Sequence, residues 1–340
     1  MPKIAYVQMK IAAGHPDVNT KKILQFIEEA KAGGADVIIF PERAISGQML
    51  GNTLNQKSFQ KDCELCRRKI VADITVVLDK SDYRRADFDM ENYSAPFSLD
   101  KKFSVEKIGR PMIRVGCVGV QNSGKTIYIF DGASAVFNSR GEVVQYAEPF
   151  EESINFVELN EIDKMPALEL PEVIEAEKIY RAISYGVKEF LAQIGMTKVV
   201  IGVSGGIDSA VAAALYTQVV GAENVYLVNM PSVYNSETTK GLSEQLAKNL
   251  GCKYFVVPIQ ESVDWTVKQL EERGIEVSDF VKENIQARDR SSRILAAIAA
   301  SVGGVFTCNA NKAETTVGYA TLYGDEAGFL SALADLWKYQ

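Results

Sequence analysis

The most constraining stretch of this 340-residue chain runs from Lys198 to Ala214: Lys-Val-Val-Ile-Gly-Val-Ser-Gly-Gly-Ile-Asp-Ser-Ala-Val-Ala-Ala-Ala. Val199 to Val203 is an apolar, β-branched run that reads as a buried strand. It stops at Ser204-Gly205-Gly206, where glycine lets the backbone turn tightly and approach a ligand. Asp208 and Ser209 then open an alanine-rich helix. Strand, glycine loop and helix start present backbone N–H groups and a positive dipole end to an anion, and phosphate is the natural guest. The usual phosphate loop places Gly-Lys-Ser/Thr at the helix start, but here Ile207-Asp208-Ser209 takes that place. Asp208 would repel a phosphate unless a cation stood between them. The expectation is a nucleotide–Mg²⁺ pair with Asp208 on the metal.

The length suits two domains, each able to bury a core. A formal net charge of −7 gives no basic field for nucleic acid. No apolar run reaches the length of a membrane span, and the N-terminus has no signal-peptide layout. A cytoplasmic protein is expected. Five scattered cysteines argue against a disulfide framework. Cys63-x-x-Cys66 has no second pair, which argues against zinc. The single histidine, His15, sits in a Gly-His-Pro turn and reads as a loop residue.

Along the chain, Lys3 to Met9 reads as a strand. Asn19-Thr20 can cap a helix running to about Ala32, which Gly33-Gly34 ends. Val37 to Phe40 is a buried strand, with Glu42 at its C-terminal mouth, where sheets place chemistry. On the sequence alone a solvated or salt-bridged glutamate is the default for Glu42. Strands follow at 73–78, 113–118, 126–130 and 134–138, with a hairpin turn at 138–141 and a charged, loop-like stretch at 79–112. A linker is expected over 160–171 and a helix from Pro171-Glu172. Beyond the glycine loop, helices alternate with strands at 225–229, 254–257 and 305–307, which implies a parallel, doubly wound sheet. Leu242, Leu246 and Leu250 mark one face of a helix capped by Ser236. Glu283 to Arg290 opens a further helix, and polar residues from Asn309 to Glu314 and Val317 to Asp325 follow the last strand as a ligand rim.

Two resemblances rest on these residues. Residues 1–50, with Gly34-Ala35-Asp36, Phe40-Pro41-Glu42 and Ile45-Ser46-Gly47, look like the start of a nitrilase-fold (carbon–nitrogen hydrolase) domain. That likeness implies Glu42 as general base, with a lysine and a cysteine nucleophile as partners; Lys107 and Cys117 are the residues in the right order. Cys117 nevertheless sits in an apolar strand, where cysteine is commonly inert packing.

Ser-Gly-Gly-x-Asp-Ser resembles the pyrophosphate loop of the ATP pyrophosphatases. With Glu283-Asn-x-Gln-Ala-Arg288, Asn311-Lys-x-Glu314 and Gly318-Tyr-x-Thr-Leu-Tyr-Gly-Asp325 in this order, residues 172–338 resemble the NAD synthetase family. Another amidating ATP pyrophosphatase, such as GMP synthetase, lacks these later motifs. The fold expected is α/β: a compressed nitrilase-like α-β-β-α sandwich at 1–159, a linker at 160–171, and a doubly wound parallel-sheet ATP-pyrophosphatase domain (adenine nucleotide alpha hydrolase-like) at 172–340.

The resemblance implies a ligase that uses ATP and Mg²⁺ to amidate deamido-NAD through an acyl adenylate, with ammonia supplied directly or from glutamine. Gly202, Val203, Ser204, Gly205, Gly206, Ile207, Asp208 and Ser209 would hold ATP phosphates. Asn309, in place of a threonine common in the family, and Lys338 would also contact ATP. Asp208 and Glu314 match metal ligands, and Arg288 matches a deamido-NAD contact. Taken alone, Glu314 and Arg288 would be read as ion-pair residues. The family continues beyond Gln340, so parts of the deamido-NAD site and of the usual homo-oligomer surface are expected outside this sequence. A non-catalytic nucleotide-binding relative is the alternative from another class.

Overall fold

The computed structural model describes residues 2–83, 87–100, 105–106, 109–123, 126–233 and 237–340. Lys107 and the expected cap Ser236 lie outside the described residues. The chain divides into two compact units, Met1–Gly186 and Val187–Gln340, and the division falls inside a helix, Glu175–Gln193. That helix begins three residues after Glu172, where the sequence placed its start.

In the first unit, β1 (Lys3–Gln8), β2 (Val37–Ile39) and β3 (Thr75–Val77) run parallel, and β10 (Ser153–Glu158) closes the other side of β1 antiparallel. A second sheet orders β4 (Asp89–Tyr93), β5 (Met112–Gly116), β8 (Ala135–Phe137) and β9 (Val143–Tyr146) side by side. Alternation fixes which core each residue enters. Ile4, Tyr6, Val37, Ile39 and Val77 meet Ile113, Val115, Val136 and Val144 between the two sheets. Ala5, Val7, Ile38 and Phe40 face the other way, onto Ile23, Phe26, Ile27 and Ala30 of α1 (Pro16–Ala32) and Cys66 of α2 (Lys57–Arg68). The remaining hairpin pairs β6 (Val118–Ser123) with β7 (Thr126–Asp131) antiparallel.

Three expectations need correction in this unit. Asn19 and Thr20 do not cap α1, which starts at Pro16 after an exposed His15. Asn19 is instead buried inside the helix, where its amide pins loops through Ala12 and the carbonyl of Ile45. The charged stretch 79–112 contains β4, paired in parallel with β5. The segment 160–171 is not wholly a free linker: a 3₁₀ turn over Leu159–Lys164 buries Ile162 in the inter-sheet core.

In the second unit, β11 (Val199–Gly202), β12 (Val225–Asn229), β13 (Lys253–Val256) and β14 (Val305–Phe306) form a parallel sheet in the order β13-β12-β11-β14. The order reverses beside β11. A crevice therefore opens there, past the C-terminal ends of β11 and its neighbours, which is where such sheets bind ligands. Helix α4 (Ile207–Val220) follows β11. After it, α5 (Glu237–Leu250) buries Ser243 and Ala247 and leaves Leu242 exposed, so the leucine face expected from the sequence holds only in part. The reason is polar: the buried amide of Asn229 donates to Ser243 Oγ at 3.1 Å. Helices α6 (Gln260–Glu271) and α7 (Asp279–Arg288) come next. Ser278 caps α7, so residues 283–290 lie inside a helix rather than opening one. A π-helical stretch, Asp289–Leu295, carries the chain into α8 (Ala296–Val302). Among the described residues no helix is long and apolar enough to cross a membrane.

Candidate active site

A cavity of about 470 Å³ opens at the C-terminal end of β11. Gly202, Val203, Ser204, Asp208 and Ser209 form one wall, while the expected Gly205, Gly206 and Ile207 of the loop are outside its lining. Gly205 has φ +86°, a conformation that favours glycine. Gly206 is the N-cap of α4, and no side chain caps that end. N–H groups in the first turn of a helix have no intrahelical acceptor, so α4 offers them, with its dipole, to an anion. The loop is braced from within. The Ser204 N–H donates to Ser209 Oγ at 3.3 Å, and Ser209 Oγ donates to the Gly206 carbonyl at 3.1 Å.

The opposite wall comes from the segment after β14. Asn309 Nδ2 donates to the Gly202 carbonyl at 3.0 Å and its Oδ1 accepts from Thr307 Oγ1 at 2.9 Å, tying this segment to β11. Asn311 caps the short helix α9 (Lys312–Val317) in a capping box. Its Oδ1 accepts from the Glu314 N–H, and Glu314 Oε2 accepts from the Asn311 N–H, both at 3.1 Å. Asn311 Nδ2 also donates to Asp208 Oδ1 at 3.3 Å. Lys338 Nζ lies 3.4 Å from Asp208 Oδ2.

Of the expected residues, Gly202, Val203, Ser204, Asp208, Ser209, Asn309 and Glu314 line this one cavity. Lys338 reaches it through Asp208, while Arg288 is occupied by a 3.2 Å bond from Nε to the Leu322 carbonyl. Asp325, at the end of the expected ligand rim, also lines the cavity, as do Asn229, Arg290 and Thr307, to which the sequence assigned no role. Asn229 and Thr307 were findable as polar residues at strand ends. Arg290 was not, because its direction depends on the π-helical stretch. Its Nε donates to the Met230 carbonyl at 3.2 Å. Burial pulls the Arg290 guanidinium below its ordinary value, while Asp325 and Asp289 act the other way.

The donor set fits a hard cation shared with a polyphosphate. Asp208 and Glu314 supply two carboxylates to the cavity, and among the described residues no group of three or more His, Cys, Asp and Glu gathers as an all-protein metal cage. Mg²⁺ is held in this way, by one or two carboxylates plus substrate phosphates and water.

The first unit presents its expected residues differently. Glu42 is exposed just after β2; its carboxylate accepts from Gln48 Nε2 at 3.3 Å and its carbonyl from Ser94 Oγ at 3.2 Å. The next residue, Arg43, has φ +55°. Cys117 stands between β5 and β6, only 2% exposed, in the apolar cluster of Val7, Met9, Phe40 and Phe130. The packing there is tight, since a Cβ on neighbouring Gly116 would lie 1.6 Å from the Gly132 carbonyl.

Residues 179–340 match the family model of NAD synthase, and residues 3–81 match that of carbon–nitrogen hydrolase. The chain joins a segment that matches the carbon–nitrogen hydrolase model to one that matches the NAD synthase model. It is similar to a glutamine-dependent NAD(+) synthetase of Rhodobacter capsulatus, 33% identical over 274 residues, covering 78% of this chain and 47% of the relative. A glutamine-dependent NAD(+) synthetase of Acinetobacter baylyi is 27% identical over 430 aligned positions, covering 99% of this chain and 77% of the relative. That alignment is longer than this chain, so stretches of the relative have no counterpart here. The solved glutamine-dependent NAD+ synthetase of Acinetobacter baumannii, in complex with ADP, shares the fold at a TM-score of 0.88 and 24% identity, over 99% of this chain and 80% of that one. Against the first curated relatives matched, the chain spans about half of their length.

Proposed function

We propose that the protein makes NAD⁺ by ATP-dependent amidation of deamido-NAD, with ammonia as the direct nitrogen donor. The observation that carries this reading is the single cavity shared by the glycine loop, Asp208 and Glu314. In it, residues 202–209 would hold the ATP phosphates through backbone N–H groups at the start of α4. Asp208 and Glu314 would hold Mg²⁺, which supplies charge neutralisation around the polyphosphate when bound. Lys338, already beside Asp208, would offset charge on departing pyrophosphate, and Asn309 would keep the loop against the β14 segment. Arg288 would orient deamido-NAD. The nicotinate carboxylate attacks the α-phosphorus, pyrophosphate leaves, and ammonia displaces AMP from the acyl adenylate. Alignment and electrostatic stabilisation account for most of the catalysis, because the substrates bring the reacting groups.

The relatives' names and the place of Glu42 favour a second reading, in which glutamine supplies the ammonia through Glu42, Lys107 and Cys117. The burial of Cys117 in an apolar cluster speaks against it, since a nucleophilic thiol needs substrate access and a base. The domain limits read from the sequence, a cytoplasmic location and a homo-oligomer belong to the same proposal.

The test is NAD⁺ and pyrophosphate release from ATP, Mg²⁺ and deamido-NAD, run in parallel with ammonium and with glutamine. Turnover with ammonium alone is expected. Turnover with both donors would favour the glutaminase reading. ATP binding without pyrophosphate release under either donor would leave only a nucleotide-binding protein.

A further inference from the structure

We infer that Asn311 is a positioning residue that sets the two metal-holding carboxylates relative to each other. The inference rests on the reading of Asp208 and Glu314 as the Mg²⁺ site. Asn311 is 3% exposed, and both ends of its amide are engaged. Its Oδ1 accepts from the Glu314 N–H, as any capping residue's oxygen would. Its Nδ2 does something a cap does not require: it crosses to Asp208 Oδ1, 103 residues away in sequence. Its own N–H holds Glu314 Oε2. One residue therefore bonds an oxygen of each carboxylate, from two different hydrogens, and leaves Asp208 Oδ2 to Lys338.

Two carboxylates facing one cavity repel each other, and without a cation they would splay apart. Two donors on one buried residue oppose that, so the pair is set before any cation arrives. Asn311 is itself fixed from behind. The Ser331 hydroxyl donates to the Ala310 carbonyl at 3.1 Å, and the Lys312 N–H donates to the Leu336 carbonyl at 2.8 Å. A residue that orients metal ligands without touching the metal commonly accounts for a 10–100-fold change in metal affinity.

Capping and positioning separate by substitution. Serine caps a helix about as well as asparagine, but its side chain is too short to reach Asp208. Asn311→Ser should keep the unfolding temperature of wild type and weaken Mn²⁺ binding, read by electron paramagnetic resonance with a non-hydrolysable ATP analogue, by about tenfold or more. Asn311→Gly, which keeps most of the cap's contribution, should weaken Mn²⁺ in the same way and guards against a serine-specific distortion. In an Asp208→Asn background, Asn311→Ser should add much less, because the partner it positions is gone. Equal Mn²⁺ affinity in wild type and both single variants overturns the inference and leaves the functional reading standing. Wild type that binds the analogue but no Mn²⁺ overturns both.

Discussion

In the second unit, the loop after β11 with Asp208 at the start of α4, and Glu314 in α9 about a hundred residues later, line one cavity. In the first, Glu42 is exposed after β2 while Cys117 is packed among Val7, Met9, Phe40 and Phe130. The difference follows from how each site is supported. A doubly wound parallel sheet delivers loops to one edge through its strand order, so residues there converge even when loop details vary. A triad spread over separate loops depends on each loop's length and course, and the relatives carry stretches that this chain does not have.

The largest effect should come from the converged site. Asp208→Asn is expected to lower ammonium-supported NAD⁺ formation at least about a hundredfold, as loss of a group that stabilises transition-state charge does. Glu314→Gln should fall in the same range, and the two together should lose less than the product of the single losses, because the carboxylates act as one unit. Steady-state rates across a Mg²⁺ series check this. A drop of less than about fivefold in both would mean that meeting at a cavity has no catalytic meaning here.

The second test asks whether the first unit is as silent as its packing suggests. Cys117→Ala should leave the ammonium-supported rate unchanged, with no glutamine-supported rate to lose. It should instead lower stability by about 1–2 kcal/mol, the cost of a small cavity in a packed core. Rates with each donor and a denaturant titration together read both effects. Selective loss of the glutamine-supported rate would reverse the comparison and make Cys117 a nucleophile.

How far the sequence could be read follows the same division. Val199–Gly202, Gly205 and the Asp208-Ser209 helix start are local patterns, and the structure places them as read. Asp89–Tyr93 was hidden because strand pairing with Met112–Gly116, not an apolar alternation, makes it a strand. Asn19 looked like a cap because its side-chain chemistry is the same whether it bonds a helix end or the Ala12 and Ile45 loops. The leucine face of α5 holds only in part: Leu246 and Leu250 are half-buried while Leu242 is exposed, and Ser243, bonded by Asn229, takes the buried position beside it. Arg290 lines the cavity from a π-helical stretch, and no sequence period anticipates that turn.

The smallest effect concerns what holds that stretch. Asp289, its first residue, accepts from Arg293 through both carboxylate oxygens at 2.6 Å and from Ser262 Oγ at 2.7 Å. Burial pushes the Asp289 carboxyl up, but the bonds from Arg293 and Ser262 outweigh it and hold the group below its ordinary value. A carboxyl held low in the folded state contributes stability above its unfolded pKa of about 3.9, and that contribution is lost as pH falls through the folded value. Arg293 is half-exposed, so solvent screening limits the contribution to about 1 kcal/mol. Asp289→Asn should therefore be about 1 kcal/mol less stable than wild type in urea at pH 7, with the gap narrowing toward pH 3. A gap that persists unchanged at pH 3 would mean that Asp289 acts by shape rather than charge. The second unit's cavity would then owe its arrangement to packing, as Cys117 does in the first.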